Sequence, residues 1–84
     1  MKIVLNKCFG GFRLSDKCEE MLEKKTGKMY FELERHNEHL VSIVEMYGKN
    51  ASDNLVSQLE IVELPNGCKY NIDEYDGMES VNTY

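Results

Sequence analysis

Cys8 is the residue whose type and place could most readily do covalent chemistry. It follows a short apolar run, adjoins Gly10-Gly11 and precedes a helix start at Ser15. A thiolate near a helix N-terminus is stabilised by the dipole, which raises its share at neutral pH and makes it a better nucleophile. His36 or His39 could then act as its base. Several residues still separate Cys8 from Ser15, and no spacing brings either histidine to it, so a packed structural thiol is the simpler expectation. Gly10 and Gly11, with Arg13 as an anion contact, could cradle a phosphate. Phe12-Arg13-Leu14-Ser15 lacks the Lys-Ser/Thr pair that normally follows such glycines, which leaves a plain strand-to-helix turn as the competing reading.

Two further constellations carry chemistry. His36 and His39 stand three apart around a helix start, where their side chains could meet. A metal would need more ligands, from Glu32, Glu34 or Glu38, and an exposed polar turn is expected instead, with no metal and no cofactor. Asp73, Glu74, Asp76 and Glu79 surround Tyr70, Tyr75 and Met78. They lack the alternating oxygen ligands of a calcium loop. They could equally form an interface, because Tyr and Met are good contact residues and carboxylates steer a basic partner. Asp73, Glu74, Tyr75, Asp76 and Glu79 are therefore the predicted partner-binding residues, against the bland alternative of an exposed hairpin whose tyrosines cover a sheet.

The charge distribution points the same way. Residues 1–37 carry eight Lys or Arg and six acids, a balance of +2, whereas residues 38–84 carry two lysines and nine acids, a balance of −7; together they give the net −5. An acidic half argues against direct nucleic-acid binding, which needs clustered cations against phosphates. It permits docking onto a basic protein surface.

The elements that must hold these residues follow from periodicity. Residues 2–6 form a short apolar strand of the kind found inside a sheet. Phe9-Gly10-Gly11-Phe12 breaks it, and a helix is predicted over 15–26, with Leu14 as a hydrophobic staple and Gly27 as its stop. Residues 29–34 partly alternate and read as a third element, a short strand. Asn37 caps a second helix over 37–47, closed by Gly48, and 49–54 is a polar loop. An antiparallel meander follows: 55–64, a turn at Pro65-Asn66-Gly67, a strand over 68–72, a turn at Tyr75-Asp76-Gly77, and a strand over 78–81. The predicted architecture is a small single-domain α+β fold. It has a mixed or antiparallel sheet of four to five strands covered on one face by two helices. Ile3, Leu5, Leu22, Val41, Val44, Leu59 and Ile61 are the predicted core.

At 84 residues the chain has room for one domain, which buries roughly 60 to 65% of its unfolded surface. A composition of 42% hydrophobic and 30% charged residues is globular rather than disordered. No apolar run is long enough to cross a bilayer, and Lys7 interrupts the N-terminal segment before a signal-peptide core can form. Three widely spaced cysteines, Cys8, Cys18 and Cys68, fit neither a disulfide framework nor a zinc knuckle and read as free thiols of a cytoplasmic protein. Asn50-Ala51-Ser52 matches a glycosylation sequon that this setting would leave unused.

The segments Lys2-Ile3-Val4-Leu5-Asn6, Cys8-Phe9-Gly10-Gly11-Phe12 and Leu14-Ser15-Asp16, with Leu59-Glu60-Ile61-Val62-Glu63-Leu64-Pro65 and Glu74-Tyr75-Asp76-Gly77-Met78-Glu79-Ser80-Val81, carry a resemblance over nearly the whole chain. Together they resemble a family of small, functionally uncharacterised bacteriophage and prophage proteins, with a Cys-aromatic-Gly-Gly-Phe loop near one end and a Glu-Tyr-Asp-Gly turn near the other. Arg13 departs from it, where a small residue is expected, as does Gly67-Cys68, where a more acidic stretch is expected. The resemblance supplies no catalytic residues. It implies a setting, since small acidic phage proteins often bind and block host proteins, including CRISPR effector complexes and other defence systems.

Overall fold

Lys2–Asn6 forms the strand β1 in a computed structural model that describes residues 1–52 and 57–84. Ile3, Val4, Leu5 and Asn6 are all fully buried, so this strand is covered on both faces. Successive side chains of a strand point to opposite sides. Val4 faces a core with Leu14, Cys18, Leu22, Leu40, Val44 and Leu59. Ile3 and Leu5 face a second core with Leu64, flanked by Tyr70, Ile72 and Val81. Each such side chain contributes about 2 kcal/mol when withdrawn from water, which is why an unbroken apolar run serves better here than an alternating one.

The first core is closed by two helices. In α1, Asp16–Thr26, the Ser15 hydroxyl accepts from the Cys18 N–H at 3.3 Å, and Gly27, at φ 73°, donates its N–H to the Glu23 carbonyl at 2.7 Å. Cys18 and Leu22, four apart, are its buried stripe. In α2, Glu38–Tyr47, Asn37 Oδ1 accepts from the His39 and Leu40 N–H groups at 2.9 and 3.2 Å. Leu40, Val41, Ile43 and Val44 form its buried face.

Strand β2, Leu59–Glu63, pairs antiparallel with β1 in the register Lys2 to Glu63 and Asn6 to Leu59. Strands β3, Tyr70–Tyr75, and β4, Met78–Thr83, form a separate antiparallel hairpin. The expectation of one sheet is thereby corrected: the described residues contain two two-stranded sheets. The reason lies on the free edge of β1. Leu64 N–H donates to the Met1 carbonyl and Lys7 N–H to the Gln58 carbonyl, so the odd residues of β1 turn their backbone groups to β2. Val4 and Asn6 turn theirs outward, where Arg35 and Glu79 meet them. Val4 N–H donates to the Arg35 carbonyl at 3.0 Å, Arg35 Nη1 donates to the Val4 carbonyl at 3.3 Å, and Asn6 N–H donates to Glu79 Oε1 at 2.8 Å. With that edge occupied, the β3–β4 hairpin lays Ile72 and Val81 over the Ile3–Leu5 face instead of extending the sheet.

The strand expected over 29–34 is also corrected. Tyr30–Glu32 is a single 3₁₀ turn, in which the Glu32 carboxylate accepts from Met29 N–H at 2.8 Å and Leu33 N–H reaches the Tyr30 carbonyl at 3.2 Å. Local bonds satisfy this backbone without a ladder, and Tyr30 and Leu33, three apart, pack on the first core. Residues 53–56, the start of the strand expected over 55–64, lie outside the described residues. The seven predicted core residues all belong to the two clusters, Ile61 as a partly buried member.

Candidate functional site

The end of β1 organises the site through one buried amide. Asn6 Nδ2 donates to the Gly77 carbonyl at 2.7 Å and to the Cys8 carbonyl at 2.9 Å, while Oδ1 accepts from Gln58 N–H at 2.8 Å. One side chain thus ties the loop after β1, the approach to β2 and the β3–β4 turn together, with both its donor hydrogens and its oxygen engaged. Leaving any of these groups unpaired in a buried position would cost about 1–3 kcal/mol.

The turn itself is Asp-Gly in mirror-image conformation, with Asp76 at φ 50° and Gly77 at φ 89°, the geometry that matches the twist of a two-residue hairpin. Gly10 N–H donates to the Asp76 carbonyl at 2.9 Å. The backbones come so close that a Cβ on Gly77 would stand 2.5 Å from Gly10 C and 2.6 Å from Gly11 N. Two glycine-bearing segments far apart in sequence therefore lock into each other.

That lock aims two rings outward. Phe9 and Tyr75 meet edge to face with centroids 6.4 Å apart and planes at 73°, yet they are 61% and 73% exposed. Asp73, Glu74 and Asp76 are exposed beside them. Glu74 Oε1 accepts from Gly77 N–H at 3.2 Å, and Asp73 accepts from the Asn82 amide. An exposed aromatic pair on a braced backbone, rimmed by carboxylates, is chemically suited to burying against a partner with cationic or apolar side chains.

Glu79 belongs elsewhere. Only 6% of it is exposed, and its carboxylate forms a bidentate pair with Arg35 at 2.5 and 2.8 Å. The Arg35 guanidinium lies 3.8 Å from the Phe12 ring centre, and Phe12 packs on Tyr30. Glu79 thus braces the hairpin onto β1, whereas Asp73, Glu74, Tyr75 and Asp76, the other residues expected to bind a partner, are exposed. Asn6 and Arg35 were not singled out from the sequence. Their signal was faint: a lone amide closing an apolar run, and a cation just before a helix cap.

The other predicted residues scatter. Cys8, half-buried with its Sγ 3.7 Å from Asn6 Oδ1, borders a pocket with Lys49, Ser52, Ser57, Gln58 and Glu60. Neither histidine lines that pocket. His36 Nδ1 contacts the Tyr70 hydroxyl at 2.7 Å, while His39 borders a groove between α1 and α2 with Met21, Lys25 and Met46. Burial, reinforced by the Glu34 carboxylate, holds the Tyr70 phenol above its ordinary pKa. Arg13 is exposed, and its carbonyl accepts from the Ser57 hydroxyl at 2.5 Å. Among the described residues no three His, Cys, Asp or Glu side chains gather as a metal site, and no helix is long and apolar enough to cross a membrane.

No protein-family model, no curated protein and no solved structure matches this chain.

Proposed function

We propose that this protein is a non-enzymatic binding module that docks onto a basic surface of another protein through the Phe9–Tyr75 junction. The observation that carries the reading is the pair of large rings left exposed where two backbone segments are clasped together. Aromatic anchors dominate interface energetics, and a preorganised backbone lowers the entropy lost on docking. Asp73, Glu74 and Asp76 supply the charge that steers a basic partner. The resemblance to phage and prophage proteins suggests a host or defence-system component as that partner, a CRISPR effector included, and three free thiols fit an encounter in the cytoplasm.

The competing reading, a thiol enzyme or phosphate-binding protein built on Cys8, Gly10, Gly11 and Arg13, finds less support. Gly10 N–H is engaged by Asp76, and close approach to Gly77 already accounts for the glycine pair. Cys8 shares its pocket with no histidine.

The test is affinity capture in a bacterium bearing defence systems, comparing the unaltered protein with Phe9→Ala/Tyr75→Ala. A partner recovered in stoichiometric amount with the first and lost with the second is expected. Enrichment of nothing, or equal recovery by both, contradicts the reading.

A further inference from the structure

The open edge of β3 is a backbone row waiting for a strand. In the β3–β4 hairpin, Lys69 and Tyr84 exchange both backbone bonds, which makes Asn71–Asn82 and Asp73–Ser80 the next hydrogen-bonded pairs. The N–H and C=O groups of Tyr70, Ile72 and Glu74 therefore point away from β4. Among the described residues, nothing bonds to the outward groups of Ile72 or Glu74. The opposite edge of the hairpin is partly closed, because Lys7 Nζ donates to the Glu79 carbonyl at 3.3 Å. The outer edge of β2 is partly closed too, since Leu59 N–H donates to Ser52 Oγ at 2.8 Å.

We propose that β3 binds its partner by strand addition, taking an extended segment rich in Lys and Arg along the Tyr70–Glu74 edge. The proposal rests on the docking reading for its location and names the partner's chemistry. An added strand would set one side chain beside Asp73 on the solvent face and another beside Glu74 on the opposite face, since side chains alternate. Cationic residues at those positions meet a carboxylate on each face, and the segment's end reaches Tyr75 and its Phe9 neighbour. Main-chain bonds supply affinity in such augmentation, and the alternating side chains supply selectivity. A second copy of the chain is the poorer occupant. Each copy carries a net charge of −5 and would bring its own Asp73 and Glu74 to the shared edge.

The Gly67-Cys68 junction allows the test in the full chain. A synthetic 68–84 segment carrying N-methyl at Ile72 is ligated at Cys68, with an unmodified segment as control and a second product methylated at Glu74. The probe is a short valine-rich peptide with an adjacent Lys-Lys pair at its centre, which places one cation on each face of the strand, followed by amide chemical shifts and by titration; the same peptide with Glu-Glu is the charge control. Binding of the lysine peptide is expected to perturb the Tyr70, Ile72 and Glu74 amides and to weaken roughly tenfold on methylation, with the glutamate peptide inert. Lysine-peptide binding that ignores both methylations but is lost in Phe9→Ala/Tyr75→Ala overturns strand addition while leaving the docking reading standing. Absence of lysine-peptide binding, equal binding of both peptides, or self-association of the chain through this edge overturns the proposal. So does failure of both methylated chains to fold, because the outward amides would then be engaged.

Discussion

Glu79 and Asp76 are three residues apart, carry the same charge, and do opposite work. Glu79 is buried against Arg35 and the Asn6 N–H, whereas Asp76 is exposed at a turn. Removing one partner of a buried pair strands the other, so Glu79→Ala should lower stability by about 3 kcal/mol, read from denaturant unfolding. Asp76→Asn, which keeps a side chain tolerant of positive φ, should shift stability by less than about 0.5 kcal/mol. Equal effects would mean that the Arg35–Glu79 clasp does not hold the hairpin. Gly77 makes the same point through sterics. Gly77→Ala combines φ 89° with a 2.5 Å clash and should cost about 3 kcal/mol, whereas Gly67→Ala, at φ 78° with open space around it, should cost about 1 kcal/mol. Comparable losses at the two glycines would place the strain in the torsion alone and remove the clasp between the loop and the turn.

Elements show where local signals prevailed and where they failed. The helices were legible because caps and stripes are local: Ser15, Asn37, Gly27 and Gly48 mark their ends within a residue of where the chain turns. Asn37→Ala should accordingly cost about 1 kcal/mol, since two N–H groups lose their acceptor. The segment 29–34 misled because a 3₁₀ turn with Tyr30 and Leu33 inward partly imitates alternation over so few residues. Sheet membership was hidden for a different reason. Nothing near β1 in sequence announces that Arg35 and Glu79, remote from each other, will fill its second edge. The candidate site was half legible: both motifs stood out as local turns, but their contact is a tertiary fact carried by Asn6, Gly10 and Gly77. Hydrogen exchange reads the resulting edges directly. The amides of Asn71 and Asp73, turned to β4, should be protected, while those of Ile72 and Glu74 should exchange rapidly; slow exchange at all four would mean that β3 is covered.

At the scale of the whole molecule, β1 separates two cores, one shared with the helices and one shared with the hairpin. Tyr70 lines the second, and its raised pKa links that core to pH. The folded phenol stays protonated where the unfolded one already ionises. The stabilising contribution is therefore complete below about pH 10, the ordinary tyrosine value, and is lost as pH rises through the higher folded value. Tyr70→Phe should flatten that alkaline decline in unfolding curves; an unchanged decline would assign it to other groups. The same division leaves the hairpin turn clasped to the loop after β1 while the edge of β3, Tyr75 and the acidic rim face outward. The rates of the captured complex test that claim most directly, measured across ionic strength for the unaltered protein, for Glu74→Gln/Asp76→Asn and for Phe9→Ala/Tyr75→Ala. Loss of the two charges should slow association and flatten its salt dependence with little change in dissociation, and loss of the two rings should speed dissociation roughly tenfold or more. Association and dissociation rates indifferent to both double substitutions would contradict the Phe9–Tyr75 junction as the docking surface.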